Sequence, residues 1–287
     1  MMIESIQQKY NDWDCVVYSG DQVKPEDILK RVRDRFDIQL DESRVIFHFI
    51  QSRHLLDAKN YPYFTMLGQS IGSIFVAIEA LDLQTPNVFV DSMGYSFTLW
   101  VARLIGKCKV VAYVHYPTIS SDMLSRVNDG TQSYNNRRIF SRIPLLKRGK
   151  LFYYHLFAWL YGKAGRACSL VFVNSTWTKN HINSLWNIPN KTMVLYPPCN
   201  TSELSNLPLN SRESDKIISI AQFRPEKDHA LQIKSFARML EIKNNRTYKL
   251  ILIGSCRHKD DEALVKGLRE LAKEVRQYIK EYYQFLK

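Results

Sequence analysis

Short apolar runs alternate with longer amphipathic segments along most of this chain, and this alternation most limits how it can fold. The apolar runs are rich in Val and Ile and are closed by polar residues, Gly or Pro, as expected of buried parallel strands. The predicted strands are 13–19, 44–49, 87–91, 110–114, 170–174, 192–196, 217–221 and 249–253; the main helices are 25–36, 65–81, 97–104, 175–186, 228–243 and 260 onward. This order predicts an α/β fold with parallel sheets.

A polar stretch rich in Ser, Asn and Pro, residues 200–215, interrupts the alternation. We therefore predict two Rossmann-like, doubly wound domains, residues 1–200 and residues 201–287. The first domain has enough strands for a complete sheet. The second has only two strands and two helices, and it is predicted to be incomplete because a two-stranded parallel unit cannot cover both of its own faces.

The apolar run Val110–Val114 ends at His115, and the following Tyr116-Pro117 stops the strand. In open α/β sheets, ligands bind outside the carboxyl ends of the strands, where the strand order reverses. His115 is therefore a candidate for ligand contact. The alternative is an ordinary loop histidine with no such role.

Positive charge is concentrated in one part of the chain. The net charge is +12, yet no Asp or Glu occurs from Gly130 to Ser202. Ten basic residues lie in that span: Arg137, Arg138, Arg142, Lys147, Arg148, Lys150, Lys163, Arg166, Lys179 and Lys191. Such a field attracts phosphates, an anionic membrane surface or nucleic acid. The alternative is a solvated basic face.

A long polar connection is predicted from Ser120 to Lys150, followed by the aromatic run Leu151–Tyr161. Eleven apolar and aromatic residues with cations on both sides are too few to span a bilayer but suit a helix in the membrane interface. An ordinary core helix is the alternative. The segment Thr65–Leu81 is longer, but its Gly, Ser, Gln and Glu residues argue against a membrane span.

A candidate phosphate site follows the strand 217–221. The turn contains Arg224 and Lys227 and leads into a helix, whose first N–H groups favour anions. Arg224 can contact a phosphate through two N–H groups, and Lys227 acts as a point charge. Gly254-Ser255 forms a similar turn after the next strand. Together these residues predict a diphosphate site at the inner edge of the second domain, facing His115 across a cleft.

Several other classes of protein are excluded by what the sequence lacks. The five cysteines are scattered without a C-x-x-C pair, which excludes a disulfide framework and a cysteine zinc site. Walker, zinc-helix, G-x-S-x-G and G-x-G-x-x-G motifs are also missing. This argues against an NTPase, a metalloprotease, an α/β-hydrolase and a dehydrogenase.

Seven runs of the sequence resemble the α-1,2-mannosyltransferase family of asparagine-linked glycan assembly, in glycosyltransferase family 4. They are YPYFTMLGQSIGS (61–73), DSMGYSFT (91–98), YVHYPTISSDML (113–124), VNSTWTKNH (173–181), YPPC (196–199), QFRPEKD (222–228) and GSCRHKDDE (254–262). The resemblance implies the GT-B fold and a retaining transfer of mannose from GDP-mannose to a dolichol-pyrophosphate-linked, mannosylated chitobiose oligosaccharide. It places the enzyme on the cytosolic face of the endoplasmic reticulum.

The resemblance also implies roles for particular residues. His115 is expected near the transferred mannose, and Arg224 and Lys227 are expected to hold the donor diphosphate with Gly254 and Ser255. No metal or other cofactor is expected, because the two cations replace one. Contact with the acceptor or the membrane is expected of Gln69, Gly72, Tyr116, Arg137, Arg138, Arg142, Lys147, Arg148 and Lys150. Expected partners are GDP-mannose, the lipid-linked oligosaccharide, the membrane and other mannosyltransferases of the pathway.

The sequence departs from the family at both ends. It lacks the family's leading membrane helix and glycine-rich loop, and it stops before two late glutamates that hold the donor. We therefore expect a truncated chain with weak or no transferase activity by itself. The alternative function is a non-catalytic module that binds lipid-linked saccharide or partner transferases. Nucleic-acid binding is the weakest interpretation, because no motif or stacking platform supports it.

Overall fold

The computed structural model describes residues 1–120, 123, 144–199, 201, 205–208, 210, 214–243, 247–256 and 259–285, with the backbone alone for 144–147, 150 and 276–285. The chain divides into two compact units, Met1–Cys199 and Asn200–Lys287. Each unit is an α/β structure with parallel strands.

The elements of the first unit are α1 (Met2–Lys9), β1 (Cys15–Ser19), α2 (Pro25–Phe36), β2 (Val45–Phe49), α3 (Thr65–Leu83), β3 (Val88–Asp91), α4 (Thr98–Leu104), β4 (Lys109–Val114), α5 (Pro144–Gly165), β5 (Leu170–Val173), α6 (Thr176–Trp186) and β6 (Thr192–Val194). Two turns of 3₁₀-helix, Ser52–Leu56 and Ala58–Asn60, connect β2 to α3. The second unit contains β7 (Lys216–Ile220), a 3₁₀ turn (Pro225–Lys227), α7 (His229–Lys243), β8 (Lys249–Ile253) and α8 (Lys259–Phe285).

The first unit contains a two-stranded sheet, β1-β2, and a four-stranded sheet in the order β3-β4-β5-β6. All of these pairs are parallel, with Asp91 beside Ala112 and Val114 beside Val173. Because neighbouring strands run in the same direction, their carboxyl ends meet at one edge of the sheet. That edge carries the residues considered below.

The most deeply buried core of the first unit lies on one face of β4 and β5, because the buried residues of both strands alternate with half-buried ones. Val110, Val171 and Val173 are fully buried, and α4, α5 and α6 cover them with Leu99, Phe157, Tyr161, Ile182 and Trp186. Burying a large apolar side chain contributes roughly 1.5–3 kcal/mol. This contribution explains why strands so short are stable, and it fixes the sheet edge in place.

The predicted strands and helices are confirmed, with small shifts at their ends. One helix was missed, and the end of one predicted connection is wrong. Helix α1 was not predicted, because Met2–Lys9 is mostly polar. The long connection does not extend to Lys150, because α5 already begins at Pro144; its basic first turns, which include Gly149, do not have the pattern of a core helix.

The second unit has, in its described residues, the two parallel strands and two helices that the sequence predicts. Ile233 and Ala237 of α7 and Leu268 of α8 are buried. The outer strand β7 leaves Ile218 and Ile220 exposed, the latter to 79%. A sheet of two strands therefore leaves apolar side chains uncovered, as expected from its size.

Candidate functional site

The carboxyl edge of the four-stranded sheet brings three polar residues into line. Asp91 ends β3, His115 follows β4 and Asn174 follows β5. The Thr178 hydroxyl joins the last two: it donates to Asn174 Oδ1 at 2.8 Å and lies 3.4 Å from the backbone oxygen of His115. Ser175 caps α6 by accepting from the Thr178 N–H, which holds this helix end against the edge.

His115 presents an exposed imidazole at this edge, with its ring packed edge-on against Tyr113 at 4.8 Å. The expected reversal of strand order at this position is wrong, because β4 lies between β3 and β5 in a consecutively ordered sheet. The place of His115 in a ligand site therefore rests on its exposure at the carboxyl ends of the strands and not on a topological switch point.

Tyr116 lies beside His115 and is 60% exposed. Its ring stacks on Trp177 of α6 with 5.2 Å between centroids, and Trp177 in turn packs edge-on against His181 at 4.1 Å. These contacts fix an aromatic surface next to the imidazole, since stacked and edge-on rings are favourable arrangements.

Asp91 organises the loop after β3, a role that sequence reasoning missed. Its Oδ1 accepts hydrogen bonds from the backbone N–H groups of Met93 (2.9 Å) and Gly94 (3.1 Å). Burial raises the pKa of this carboxyl, although these N–H groups oppose the shift. The only sequence signal was an acid at the end of a strand.

A hydrogen-bonded chain connects this loop to the segment after β4. The Thr118 hydroxyl donates to the Gly94 carbonyl at 3.4 Å, and Thr118 also forms a hydrogen bond with the buried phenol of Tyr161. Burial raises the pKa of Tyr161, so its hydroxyl stays protonated. The two loops that flank His115 are thus held by the core helix α5.

Gln69 and Gly72, expected to contact the acceptor or the membrane, are engaged within the protein. Gln69 donates to the Leu56 carbonyl at 2.7 Å. A Cβ at Gly72 would lie 2.2 Å from the Leu55 carbonyl oxygen, so only glycine allows α3 to approach the Ser52–Leu56 turn this closely. Both residues shape the surface beside them rather than present side chains to it.

The basic residues of the first unit are only partly within the described structure. Arg137, Arg138 and Arg142 lie outside the described residues. Lys147 and Lys150 belong to α5 by their backbone, and Arg148 is exposed on the same helix.

The outer face of α5 is apolar and aromatic, while its inner face belongs to the core. Phe152 is 70% and Trp159 is 59% exposed, whereas Phe157 and Tyr161 are buried. The Lys163 ammonium lies 5.4 Å from the Trp159 ring. The two interpretations of this segment, interfacial helix and core helix, thus apply to opposite faces of one 22-residue helix.

In the second unit, Arg224 precedes the 3₁₀ turn Pro225–Lys227 and Lys227 is its last residue. The Lys227 N–H donates a hydrogen bond to the Arg224 carbonyl at 3.0 Å. The Arg224 guanidinium is one-third exposed and lies 3.7 Å from the Glu226 carboxylate. At this distance the ion pair is loose, and its exposure makes it weak. A phosphate can therefore replace Glu226 as the partner of Arg224.

The start of α7 is less open to an anion than the sequence predicts. The Asp228 carboxylate accepts from the Leu231 N–H at 3.1 Å, so one of the free N–H groups of the helix end already has a partner. The cations Arg224 and Lys227 remain the main attraction for a phosphate in this turn.

Gly254 and Ser255 lie beside this turn, but the space at Gly254 is taken by the protein itself. A Cβ at Gly254 would lie 1.9 Å from the Ala221 carbonyl oxygen. The Phe223 N–H donates to the Ser255 carbonyl at 3.3 Å. The structure thus brings the two predicted turns together, and Gly254 allows this close approach because it has no side chain.

Among the described residues, no group of three or more His, Cys, Asp or Glu side chains is arranged to hold a metal ion. One described helix, α3, is long and apolar enough to cross a membrane by length and composition, a test that core helices of soluble proteins also pass.

Residues 1–186 match the family model described as "ALG11 mannosyltransferase N-terminus". The relatives include proteins named GDP-Man:Man(3)GlcNAc(2)-PP-Dol alpha-1,2-mannosyltransferase. That of Homo sapiens is 44% identical over 99% of this chain and 58% of its own length, and that of Mus musculus is 46% identical over 94% and 56%. The Dictyostelium discoideum protein of the same name is 40% identical. The chain thus spans a little over half the length of these relatives.

Solved structures with a similar fold include trehalose-phosphate synthases. The enzyme from Burkholderia multivorans has a TM-score of 0.54 and 12% identity, with 93% of this chain and 68% of that chain covered. The enzyme from Burkholderia xenovorans has a TM-score of 0.51 and 11% identity, with 76% and 51% covered. At this identity the similarity shows the fold alone, and it confirms the predicted α/β fold of the GT-B class.

Proposed function

Since the chain belongs to the ALG11 mannosyltransferase family, we propose that it acts in an α-1,2-mannosyltransferase that uses GDP-mannose as donor and a dolichol-pyrophosphate-linked oligosaccharide as acceptor. The family match over residues 1–186 carries this proposal. The relatives named for this reaction support it, because their identity extends over nearly the whole chain. The reaction belongs to the assembly of the precursor for asparagine-linked glycosylation.

In the proposed reaction, the bond between the anomeric carbon of mannose and the diphosphate of GDP-mannose breaks. The same carbon forms a bond to a 2-hydroxyl oxygen of the acceptor, whose proton is released, and the anomeric configuration is retained. Negative charge accumulates on the leaving GDP. Arg224 and Lys227 are suited to stabilise this charge, because a guanidinium and an ammonium supply directed N–H donors without a metal ion.

The first unit is proposed to bind the acceptor and the transferred mannose. The exposed imidazole of His115 and the neighbouring ring of Tyr116 lie at the carboxyl edge of the sheet, where ligands of open α/β folds bind. The loops on either side are held by Asp91 and Tyr161. Such rigid support favours precise placement of the reacting groups.

We also propose that the protein works on the cytosolic face of the endoplasmic reticulum membrane, beside other mannosyltransferases of the pathway. The exposed apolar face of α5, with Phe152, Leu156 and Trp159 between Arg148 and Lys163, supports membrane contact. Aromatic side chains favour the level of the lipid headgroups, and cations favour anionic lipid.

Binding of GDP-mannose to the purified chain, measured by calorimetry, tests the donor site. We expect saturable binding that competes with GDP. Lys227→Ala is expected to weaken it about tenfold or more, because a charge-assisted contact contributes roughly 1.5–3 kcal/mol. Arg238→Ala is the matched control: Arg238 is an exposed cation of α7, paired with Glu241 at 2.7 Å and separated in sequence from the turn.

Arg238→Ala should change the affinity less than about twofold, as expected of a surface ion pair. Equal losses in both variants would indicate nonspecific attraction to charge. Absence of saturable GDP-mannose binding would contradict the proposed donor site.

A further inference from the structure

We propose that a groove between α3 and the segment Ser52–Tyr61 binds the isoprenoid chain of the lipid-linked acceptor. This inference rests on the proposed function and adds a site for the part of the acceptor that is not sugar. Four observations carry it: the lining of the groove, its rigidity, the apolar surface that continues it, and a cation at its neighbouring edge.

The groove is apolar and large enough for a ligand. Its volume is about 320 Å³, and its lining consists of Leu55, Tyr61, Gly68, Ile71, Gly72 and Phe75. This volume falls in the range of small-molecule sites. The Tyr61 hydroxyl donates to the Leu55 carbonyl at 2.9 Å, so Tyr61 presents its ring to the groove and its polar atom already has a partner.

This lining favours a hydrocarbon over a polypeptide. An extended peptide in the groove would need partners for its own N–H and C=O groups, and such groups are costly to bury unpaired. The lining residues are glycines, aliphatic side chains and aromatic rings, with no charged or amide side chain among them. An isoprenoid chain has no polar group to satisfy.

Hydrogen bonds between α3 and the segment that faces it fix the two walls of the groove relative to each other. Gln69 of α3 donates to the Leu56 carbonyl at 2.7 Å. The Glu79 carboxylate, almost three turns further along α3, accepts from the N–H groups of Gln51 (2.7 Å) and Ser52 (2.9 Å). Since the turn is fixed to α3 at two levels, a ligand need not order the walls when it binds.

The apolar surface extends from the groove along α3. Ile71, Phe75 and Ile78 are spaced four and three residues apart, which places them on one helix face, and each is 41–56% exposed. Only 28% of the most apolar stretch of α3 is buried. A chain longer than the groove therefore has further apolar surface to follow.

The segment that forms the groove also carries a cation close to the sheet edge. Arg53 is more than half exposed, and its contact with Asp21 is 3.6 Å long. Burial raises the pKa of the Tyr95 phenol and the positive charge of Arg53 opposes this shift, so Arg53 lies within electrostatic range of Tyr95, which follows the loop that Asp91 holds. A phosphate at the head of the lipid thus has a counter-charge next to the site proposed for the acceptor.

Photolabelling of the purified chain with a benzophenone-bearing farnesyl diphosphate tests the proposal. We expect the label on peptides covering residues 52–75, and we expect geranylgeranyl diphosphate to compete. Ile71→Glu should lower labelling about tenfold, because it places a charge against the hydrocarbon. Leu83→Glu is the matched control, since Leu83 is an aliphatic residue of the same helix with 46% exposure, against 45% for Ile71, but lies at the far end of α3 and does not line the groove.

The control should change labelling less than about twofold, and thermal unfolding of both variants verifies that they fold. If Ile71→Glu fails to fold, the position of the label in the unmodified chain decides the question. Competition by inorganic diphosphate alone, competition by phosphatidylcholine vesicles as strong as by the isoprenoid, or label mainly on α5 would overturn the proposal. GDP-mannose binding is measured on the same samples: if it persists while labelling is absent, the groove proposal fails and the proposed function stands.

Discussion

Asp91 is the residue whose burial has the clearest energetic consequence. Its carboxylate is nine-tenths buried, yet it accepts hydrogen bonds from the backbone N–H groups of Met93 and Gly94. Burial disfavours its charged form and raises its pKa above the ordinary value of 3.8. The loop needs the oxygen acceptor, while the fold would be more stable without the charge.

Asp91→Asn and Asp91→Ala separate these two contributions. The asparagine side chain keeps an oxygen acceptor and removes the charge. The free energy of unfolding of the Asp91→Asn variant at pH 7 should therefore equal or exceed that of the parent. Alanine leaves the N–H groups of Met93 and Gly94 without this partner, and a loss of about 2 kcal/mol is expected. Urea unfolding followed by tryptophan fluorescence measures both, because all five tryptophans (13, 100, 159, 177 and 186) lie in the first unit.

The contribution of Asp91 to the free energy of unfolding should depend on pH with a definite sign. A carboxyl whose pKa is raised by folding binds its proton more tightly in the folded state, so stability falls as the pH rises from about 4 until the folded-state pKa is passed. The advantage of Asp91→Asn over the parent should grow through this window and then stay constant. A difference that does not change with pH would show that Asp91 is not titrating there.

Single residues were only partly predictable from the sequence. His115 was identified because a proline soon after it ends the strand, which places the histidine at the carboxyl edge of the sheet, where ligands bind. The structure shows its imidazole exposed at that edge. The roles of Thr118 and Tyr161 depend on contacts between segments distant in the chain, which no local pattern contains. Asp91 bonds to N–H groups only two and three residues ahead, but an acid at the end of a strand was its only sequence signal. Gly254 was assigned to ligand approach, but the Ala221 carbonyl occupies that space.

At the scale of elements, α5 shows how one helix serves two environments. Its inner face packs against α6 so closely that a Cβ at Gly162 would lie 2.4 Å from the Leu185 carbonyl oxygen. Its outer face carries the exposed Phe152 and Trp159. Gly149, near the start of the same helix, has no heavy atom within 4 Å of its would-be Cβ.

Gly162→Ala and Gly149→Ala should therefore have opposite effects. At Gly162 the neighbouring atom is backbone and cannot move aside, so a loss of about 2 kcal/mol or more in the free energy of unfolding is expected. At Gly149 alanine should stabilise the helix by roughly 0.5–1 kcal/mol. Urea titration measures both changes. Equal stability of Gly162→Ala and the parent would show that α5 and α6 are less closely packed than described.

Elements were more predictable than sites. The alternation of apolar runs and amphipathic segments located the strands and most helices, and α2 was predicted at its observed bounds. The close contact of α3 with the Ser52–Leu56 turn could not be foreseen, because the small residues of α3 allow approach without specifying a neighbour. The groove depends on that contact and was therefore also missed.

At the scale of the whole molecule, positive charge and exposed aromatic rings occur together in the first unit. The span from Gly130 to Ser202 holds ten cations and no acid, and α5 within it exposes Phe152, Leu156 and Trp159. The charge pattern was apparent from the sequence; the division of α5 into an inner and an outer face required the structure.

Co-sedimentation with vesicles that contain anionic lipid tests the proposed membrane contact. We expect binding that weakens as salt is raised, because ions screen charge over about 10 Å at 0.1 M. The double variant Phe152→Glu/Trp159→Glu should bind about tenfold less, since it removes apolar area that would otherwise be buried. Phe36→Glu, a change at a side chain 64% exposed on α2, is the control and should bind like the parent.

The consecutive order β3-β4-β5-β6 has a consequence for biosynthesis. Each strand pairs with the one made just before it, so this sheet grows by addition at one side as the chain leaves the ribosome. Contacts between segments close in sequence form quickly, and domains generally fold as units during translation, beginning with the first synthesised. The first unit can thus be complete, with the outer face of α5 already formed, while the ribosome is still translating the second.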